Sequence, residues 1–344
     1  MNDQLNPNAH SDTPAESYSA ADLPINEDGA IYHLQAKPGQ ISPDILVVGD
    51  PGRAELIGSM FLRDLEFEHE HRGLVTVTGT SQVTGNRATI ISPVRTTVTT
   101  SGMGTPSLEI VLGELVVLNE IDFATGKRRS NFPRLRIIRV GTSGALQAST
   151  ALGTLVITSY AIGLDNTGMY YEAPYPDDNC RRLEEQLSVV VRNAMSPESR
   201  FYGKIHPYVS RAEPAISAAL LDAAEELGAP ARLGITASSS GFFAPQGRDV
   251  ARVNPSVSRL TSVLGAYDPN VDGQRIENME MEASFLIHYL CGLGHWAGAI
   301  CPIIDNRPQH TFDHHYKESA VMATKVALLA FAKLRNRYPD DRIG

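Results

Sequence analysis

Short runs of β-branched and apolar residues recur along this chain, and several of them end in small polar residues. They are Ile45–Val48, Leu74–Val77, Ala88–Ile91, Thr96–Thr100, Arg136–Val140, Thr154–Thr158, Leu233–Ala237 and Ala297–Ile304. Runs of this length and composition read as buried strands. Between them, helical periodicity fits Ser107–Leu118, Asn179–Met195, Ala215–Leu227, Met281–Leu293 and His315–Arg337. Strands interleaved with helices predict an α/β class built on a central sheet. A length of 344 residues suits one large domain or two smaller ones. Two segments read as insertions. Phe123–Arg134 is polar and basic, and Pro197–Ser210 is irregular, with Tyr202, His206 and Tyr208.

Charge narrows the function classes. The first thirty residues hold six acidic side chains and no Lys or Arg; removing those six from a net charge of −9 leaves −3. The body is therefore close to neutral, without the basic field that nucleic-acid binding requires. The segment 1–30 is rich in Asn, Asp, Ser, Ala and Pro, lacks a basic and an apolar region, and reads as a disordered acidic tail rather than a secretory signal. Ordered structure is expected from near Ile31. No apolar run approaches a membrane span. Three scattered cysteines suit neither a disulfide framework nor a zinc site. These features predict a cytoplasmic protein with no membrane partner, and any anion site must be built locally.

Five segments carry chemistry. Gly49-Asp50-Pro51-Gly52-Arg53 follows a strand and leads to a helix, so its backbone N–H groups can receive an anion and Arg53 can pair with it. Alone, an ordinary β-turn with a surface Arg looks the same. Arg139 ends an apolar strand and opens Arg139-Val140-Gly141-Thr142-Ser143-Gly144. A buried Arg needs a carboxylate or an anionic ligand, and both readings stay open. Thr99-Thr100-Ser101-Gly102-Met103-Gly104-Thr105-Pro106-Ser107 is a third strand end, explained either by helix capping or by a ligand wall. Asn278-Met279-Glu280-Met281-Glu282 sets two carboxylates before an apolar helix. Glu at a helix start is ordinary, but a carboxylate also accepts two hydrogen bonds from a vicinal diol. Phe242-Phe243-Ala244-Pro245-Gln246-Gly247-Arg248 offers aromatic faces, an amide with donor and acceptor, and a guanidinium. Open sheets bind ligands at the carboxyl ends of strands, so two Arg/Gly strand ends in one chain favour a shared anion site.

In this order the motifs resemble the nucleoside phosphorylase family, and within it the uridine phosphorylases, over about residues 31–338. The resemblance implies a three-layer α/β/α sandwich with a twisted mixed sheet, as one domain over 31–344. It implies phosphorolysis of a nucleoside, with inorganic phosphate as co-substrate and no other cofactor or metal. It also implies a homodimer at minimum, with a trimer of dimers as the larger alternative. By position, Gly49, Arg53, Arg139 and Thr142 match phosphate ligands, and Arg72 matches the phosphate-binding Arg that a neighbouring subunit donates. His33 matches the residue the partner sends to the ribose 5′-hydroxyl. Met281 and Glu282 match the ribose site, with Thr100 on the pocket wall. Phe242, Gln246 and Arg248 match the base site, and the Gln246/Arg248 spacing is similar to the uracil-recognition signature. The roles in turnover fall to Arg248, Gln246 and Glu282.

Two positions depart from the pattern. Gly73 stands where some bacterial members have a cation-binding Glu, so no such ion site is expected. Asp305 falls where uridine enzymes have an apolar residue, and purine enzymes use an Asp near this strand end. Three readings follow: a uridine phosphorylase, a purine nucleoside phosphorylase, and a non-catalytic nucleoside-binding or storage member of the fold.

Overall fold

The structure, a computed structural model, describes residues 18–83, 93–257 and 259–344. The expected strand Ala88–Ile91 lies outside them. Successive side chains of a strand point to opposite faces, and here the two faces feed two cores. In the strand Asp44–Val48, Leu46 and Val48 pack with the helices Pro51–Phe61, Pro214–Leu227 and Lys317–Arg337. Ile45 and Val47 pack on the other face with Thr105–Glu120 and Ala283–Gly292. Ile138 and Ile137 divide in the same way. This is the expected three-layer α/β/α arrangement. A third cluster seats the helices Asp178–Asn193 and Leu260–Ala266 against Tyr160, Ile162, Ile235 and Ile276.

The main path of the sheet runs Tyr208–Arg211, Leu155–Leu164, Ala231–Ser239, Ile276–Glu280, Ser143–Ala145, Trp296–Asn306, Arg136–Val140, Asp44–Val48, Val94–Thr100, Leu74–Ser81, Leu62–His71. It is mixed. Asp44–Val48 is parallel to both neighbours, and Trp296–Asn306 is parallel to Arg136–Val140. Leu155–Ile157 also pairs antiparallel with Ile300–Pro302, closing part of the sheet into a small barrel. The parallel register brings the ends at Val48, Thr100 and Val140 side by side.

Several boundaries differ from the sequence reading. Leu62–His71 is a strand the sequence did not announce: it lies at the sheet edge and most of its side chains are exposed. The segment Ile276–Glu280 is a buried strand, and the following helix begins at Ala283 rather than Met281. In the basic insertion, Lys127–Arg128 pairs with Ile121–Asp122, and Phe132–Pro133 pairs with Arg342–Ile343. Tyr208–Arg211 is an edge strand whose Tyr208 and Val209 are buried, so only the first part of Pro197–Ser210 is irregular. Residues 18–30 carry contacts: Leu23 is buried in the second cluster, and Ile25 bridges to Ile31. Among the described residues, no helix is long and apolar enough to cross a membrane.

Candidate active site

Asp50 caps the helix Pro51–Phe61 by accepting the Arg53 N–H at 2.9 Å, with Pro at the first helical position. That cap turns Arg53 back across the strand ends, where its Nη1 donates to Val140 O at 3.1 Å. The next turn needs two left-handed glycines, Gly102 at φ 69° and Gly104 at φ 89°. They bring the Gly104 N–H to Glu282 Oε1 at 2.6 Å. Gly104, at the start of Thr105–Glu120, provides no side-chain cap; Ser107 Oγ donates to Ser101 O at 2.6 Å instead. Capping therefore does not account for this segment.

Arg139 is buried between two carboxylates. Its Nε donates to Glu280 Oε2 at 3.0 Å, and its Nη2 pairs with Glu282 Oε2. Its Nη1 is buried without a hydrogen-bond partner among the described residues. Gly141 has no side chain for good reason: a Cβ there would lie 3.1 Å from Arg139 Nη2 and 2.8 Å from Cys301 Sγ. Glu280, which the sequence reading left without a role, also holds the next helix, accepting from the Glu282 and Ala283 N–H groups and from Ser238 Oγ. The Glu-x-Glu spacing shows two carboxylates; their different partners come only from the strand end on which Glu280 sits.

The charges are strongly perturbed. Burial lowers the Arg53 pKa; Asp50 opposes the shift and nearby Arg139 adds to it. Burial acts to lower the Arg139 pKa as well, but Glu282 and Glu280 outweigh it and the net direction is up. Burial raises the Glu282 pKa, aided by Glu280 and opposed by Arg139. Two close guanidiniums, one with an unpaired buried N–H, make a site where an anion would be welcome.

These groups line one wall of a cleft of about 230 Å³ that also includes Gly49, Thr142 and Met281. A second set of lining groups is Phe242, Gln246, Arg248, Asp305 and Arg307. The Arg248 guanidinium lies 3.7 Å above the Phe242 ring centre and donates to Gln246 Oε1 at 2.8 Å. Arg307 Nη2 donates to the same oxygen at 2.9 Å, and its Nη1 donates to Gln246 O at 3.0 Å. Burial, reinforced by Arg307 and opposed by Asp305, pushes the Arg248 pKa down to about 10. Asp305 pairs with Arg307 and lies 3.7 Å from Arg248 Nη2.

Three expected site residues lie elsewhere. Thr100 is fully buried, and its hydroxyl is occupied on both sides by the Val75 backbone, at 2.7 and 2.9 Å. It stands behind the cleft rather than in its wall. His33 bonds Glu114 through Nδ1 at 2.7 Å, and its carbonyl faces His71 Nδ1 at 3.1 Å. Arg72 follows at φ 56° in the exposed turn between Leu62–His71 and Leu74–Ser81. His33 and the Arg72 turn thus form one patch, and neither lines the cleft. A larger cavity of about 630 Å³ lies by Tyr171, Tyr208 and His288. His288 there is already satisfied by Ser210 Oγ and Tyr171 O, at 2.9 and 2.8 Å, so its chemistry does not compete.

Residues 43–334 match the phosphorylase superfamily. The chain is 30% identical to a uridine phosphorylase of Thermococcus kodakarensis over 320 residues, covering 92% of each protein. It is 30% identical to a DeoD-type purine nucleoside phosphorylase of Listeria monocytogenes over 181 residues, covering 49% of this chain and 67% of that protein. A solved Trypanosoma brucei nucleoside phosphorylase, described as showing uridine phosphorylase activity, superposes with a TM-score of 0.78 at 28% identity, covering 91% of this chain and 100% of that one.

Proposed function

The chain belongs to the phosphorylase superfamily, and from that premise we propose that it transfers the ribosyl group of uridine to inorganic phosphate, releasing uracil and ribose 1-phosphate. One observation carries the reading. The Arg53/Arg139 pair, with a buried N–H left unpaired, shares a single cleft with Phe242, Gln246 and Arg248.

In this reading phosphate lies against Arg53, Arg139, Thr142 and the Gly49 backbone. The ribose sits over Met281, and its two hydroxyls bond Glu282, whose carboxylate oxygens retain lone pairs beyond Gly104 and Arg139. A phosphate oxygen forms the new bond at C1′ as the bond from C1′ to N1 breaks. The electron pair passes into the uracil ring and its carbonyls, where Arg248 meets the growing charge. Holding phosphate against the sugar is proximity and orientation; meeting the leaving charge is preorganised electrostatics. A second subunit brings its Arg72 to the phosphate and its His33 to the ribose, consistent with both lying off their own cleft. The protein is then a homodimer or a larger assembly of dimers.

A purine reading has one specific support, the Asp305 carboxylate in the cleft wall. Turnover of uridine, thymidine and inosine with and without phosphate decides between the two. Uracil released from uridine, dependent on phosphate and faster than base from inosine, is the expected outcome. Preference for inosine, or equal cleavage without phosphate, contradicts it.

A further inference from the structure

Gln246 is buried and its amide orientation is fixed. Two guanidinium groups donate to its Oε1, from Arg248 at 2.8 Å and Arg307 at 2.9 Å. Guanidinium has no acceptor, so the amide oxygen must face these groups, and both carbonyl lone pairs are taken. The backbone reinforces this: Arg307 Nη1 holds Gln246 O at 3.0 Å, and the turn closes through Gly247 at φ 70°. The side chain keeps only its Nε2 donors for a ligand. An imide edge presents carbonyl, N–H, carbonyl. Gln246 and Arg248 can donate to the carbonyls, but neither accepts the N–H.

Asp305 sits beside them in the same wall. Its Oδ2 faces Arg307 and lies 3.7 Å from Arg248 Nη2. Its Oδ1 accepts no hydrogen bond among the described residues. The carboxylate lies over Gly144, where a Cβ would come within 2.6 Å of Oδ1 and 2.9 Å of Oδ2. The glycine is therefore required for the carboxylate to rest there.

We propose that Asp305 is the specificity-determining acceptor of the base site, taking the N3–H of uracil while Gln246 Nε2 and Arg248 donate to its carbonyls. This rests on the uridine reading and deepens it. It predicts selection against cytosine, whose N3 lone pair would face a carboxylate. The two arginines hold Asp305 in place, and Asp305 keeps them from being a bare pair of like charges.

The test compares the full-length protein with Asp305→Asn, Asp305→Leu and Gly144→Ala, with thermal unfolding as the check on folding. Two quantities are read: kcat/KM on uridine with phosphate, and the N3 imino proton of uracil labelled with 15N at N3, bound to each protein. A charge-assisted hydrogen bond moves that proton downfield, and a purely structural role for Asp305 would not. Asp305→Leu is expected to lose the downfield signal and about 10- to 100-fold in kcat/KM. Asp305→Asn is expected to fall between Leu and wild type, and to narrow the preference for uridine over cytidine. Gly144→Ala pushes on the carboxylate and on the Arg307 Nε beside it without altering any charge, and should weaken the signal as well. An unchanged imino shift in Asp305→Leu, or kcat/KM within twofold of wild type, overturns the assignment. A wild type that releases no uracil from uridine and phosphate overturns the uridine reading beneath it; a working wild type with an unaffected Leu variant removes only the role of Asp305.

Discussion

The two walls of the cleft are built by different physics. At the end proposed to hold phosphate and ribose, Arg139, Glu280 and Glu282 are nearly dry, with side chains between 1% and 5% exposed. Each charge there is fixed by another charge, and the two carboxylates also accept backbone N–H groups. At the end proposed to hold the base, Arg248 and Asp305 are 22% and 18% exposed, and Phe242 is half exposed. The first wall is locked by the sheet itself. The second hangs on a short turn, Ala244–Gln246, and is held by Arg307 reaching across from another strand end. A rigid end suits a co-substrate of invariant shape, and a more open end suits a base that must enter and leave.

The contrast breaks most sharply at Arg139. Arg139→Ala leaves Glu280 and Glu282 buried without their cation, so it is expected to cost about 3–5 kcal/mol of stability. It should also cost about 10²- to 10³-fold in kcat/KM. Thermal unfolding and kinetics read the two effects; a stable variant would show that the dry end is not charge-locked. Arg248→Ala is expected to lower kcat by about 10²-fold with little change in stability or uridine KM. A loss confined to KM would place Arg248 in ground-state binding instead.

Arg72 tests whether a second subunit completes the rigid end. Arg72→Ala should raise the phosphate KM and lower kcat/KM by about 10- to 100-fold. Co-expressing equal amounts of Arg72→Ala and Arg53→Ala subunits should restore about a quarter of wild-type activity, since half the dimers are mixed and each mixed dimer has one intact site. No recovery would put both arginines in the same subunit's site. Phe242→Ala should have the smallest effect, about 3- to 10-fold in uridine KM, from lost stacking and from the released Arg248 guanidinium.

The same contrast explains what could be read from sequence. The strand ends were legible because Gly49-Asp50-Pro51-Gly52-Arg53 and Arg139-Val140-Gly141-Thr142-Ser143-Gly144 put a polar, glycine-rich break directly after an apolar run. The α/β layering was legible for the same reason. The strand Leu62–His71 was not, because an exposed edge strand full of charge lacks a buried face to announce it. Glu280 was visible as half of a pair, but its grip on Arg139 depends on a residue 141 positions away. The orientation of Gln246 depends likewise on Arg307, 61 positions away. Thr100 matched a ligand wall by position, yet its hydroxyl is spent on the neighbouring strand. Local chemistry is written in a motif; which partner satisfies a buried group is decided by the tertiary fold.

The central claim is that the rigid end holds a phosphate that becomes part of the product. Incubating the protein with uridine and [18O4]phosphate and analysing the sugar product by mass spectrometry and 31P NMR tests it. The account predicts ribose 1-phosphate retaining all four labelled oxygens, one of them bridging phosphorus to C1′. Free ribose carrying an unlabelled oxygen from water at C1′ would contradict it.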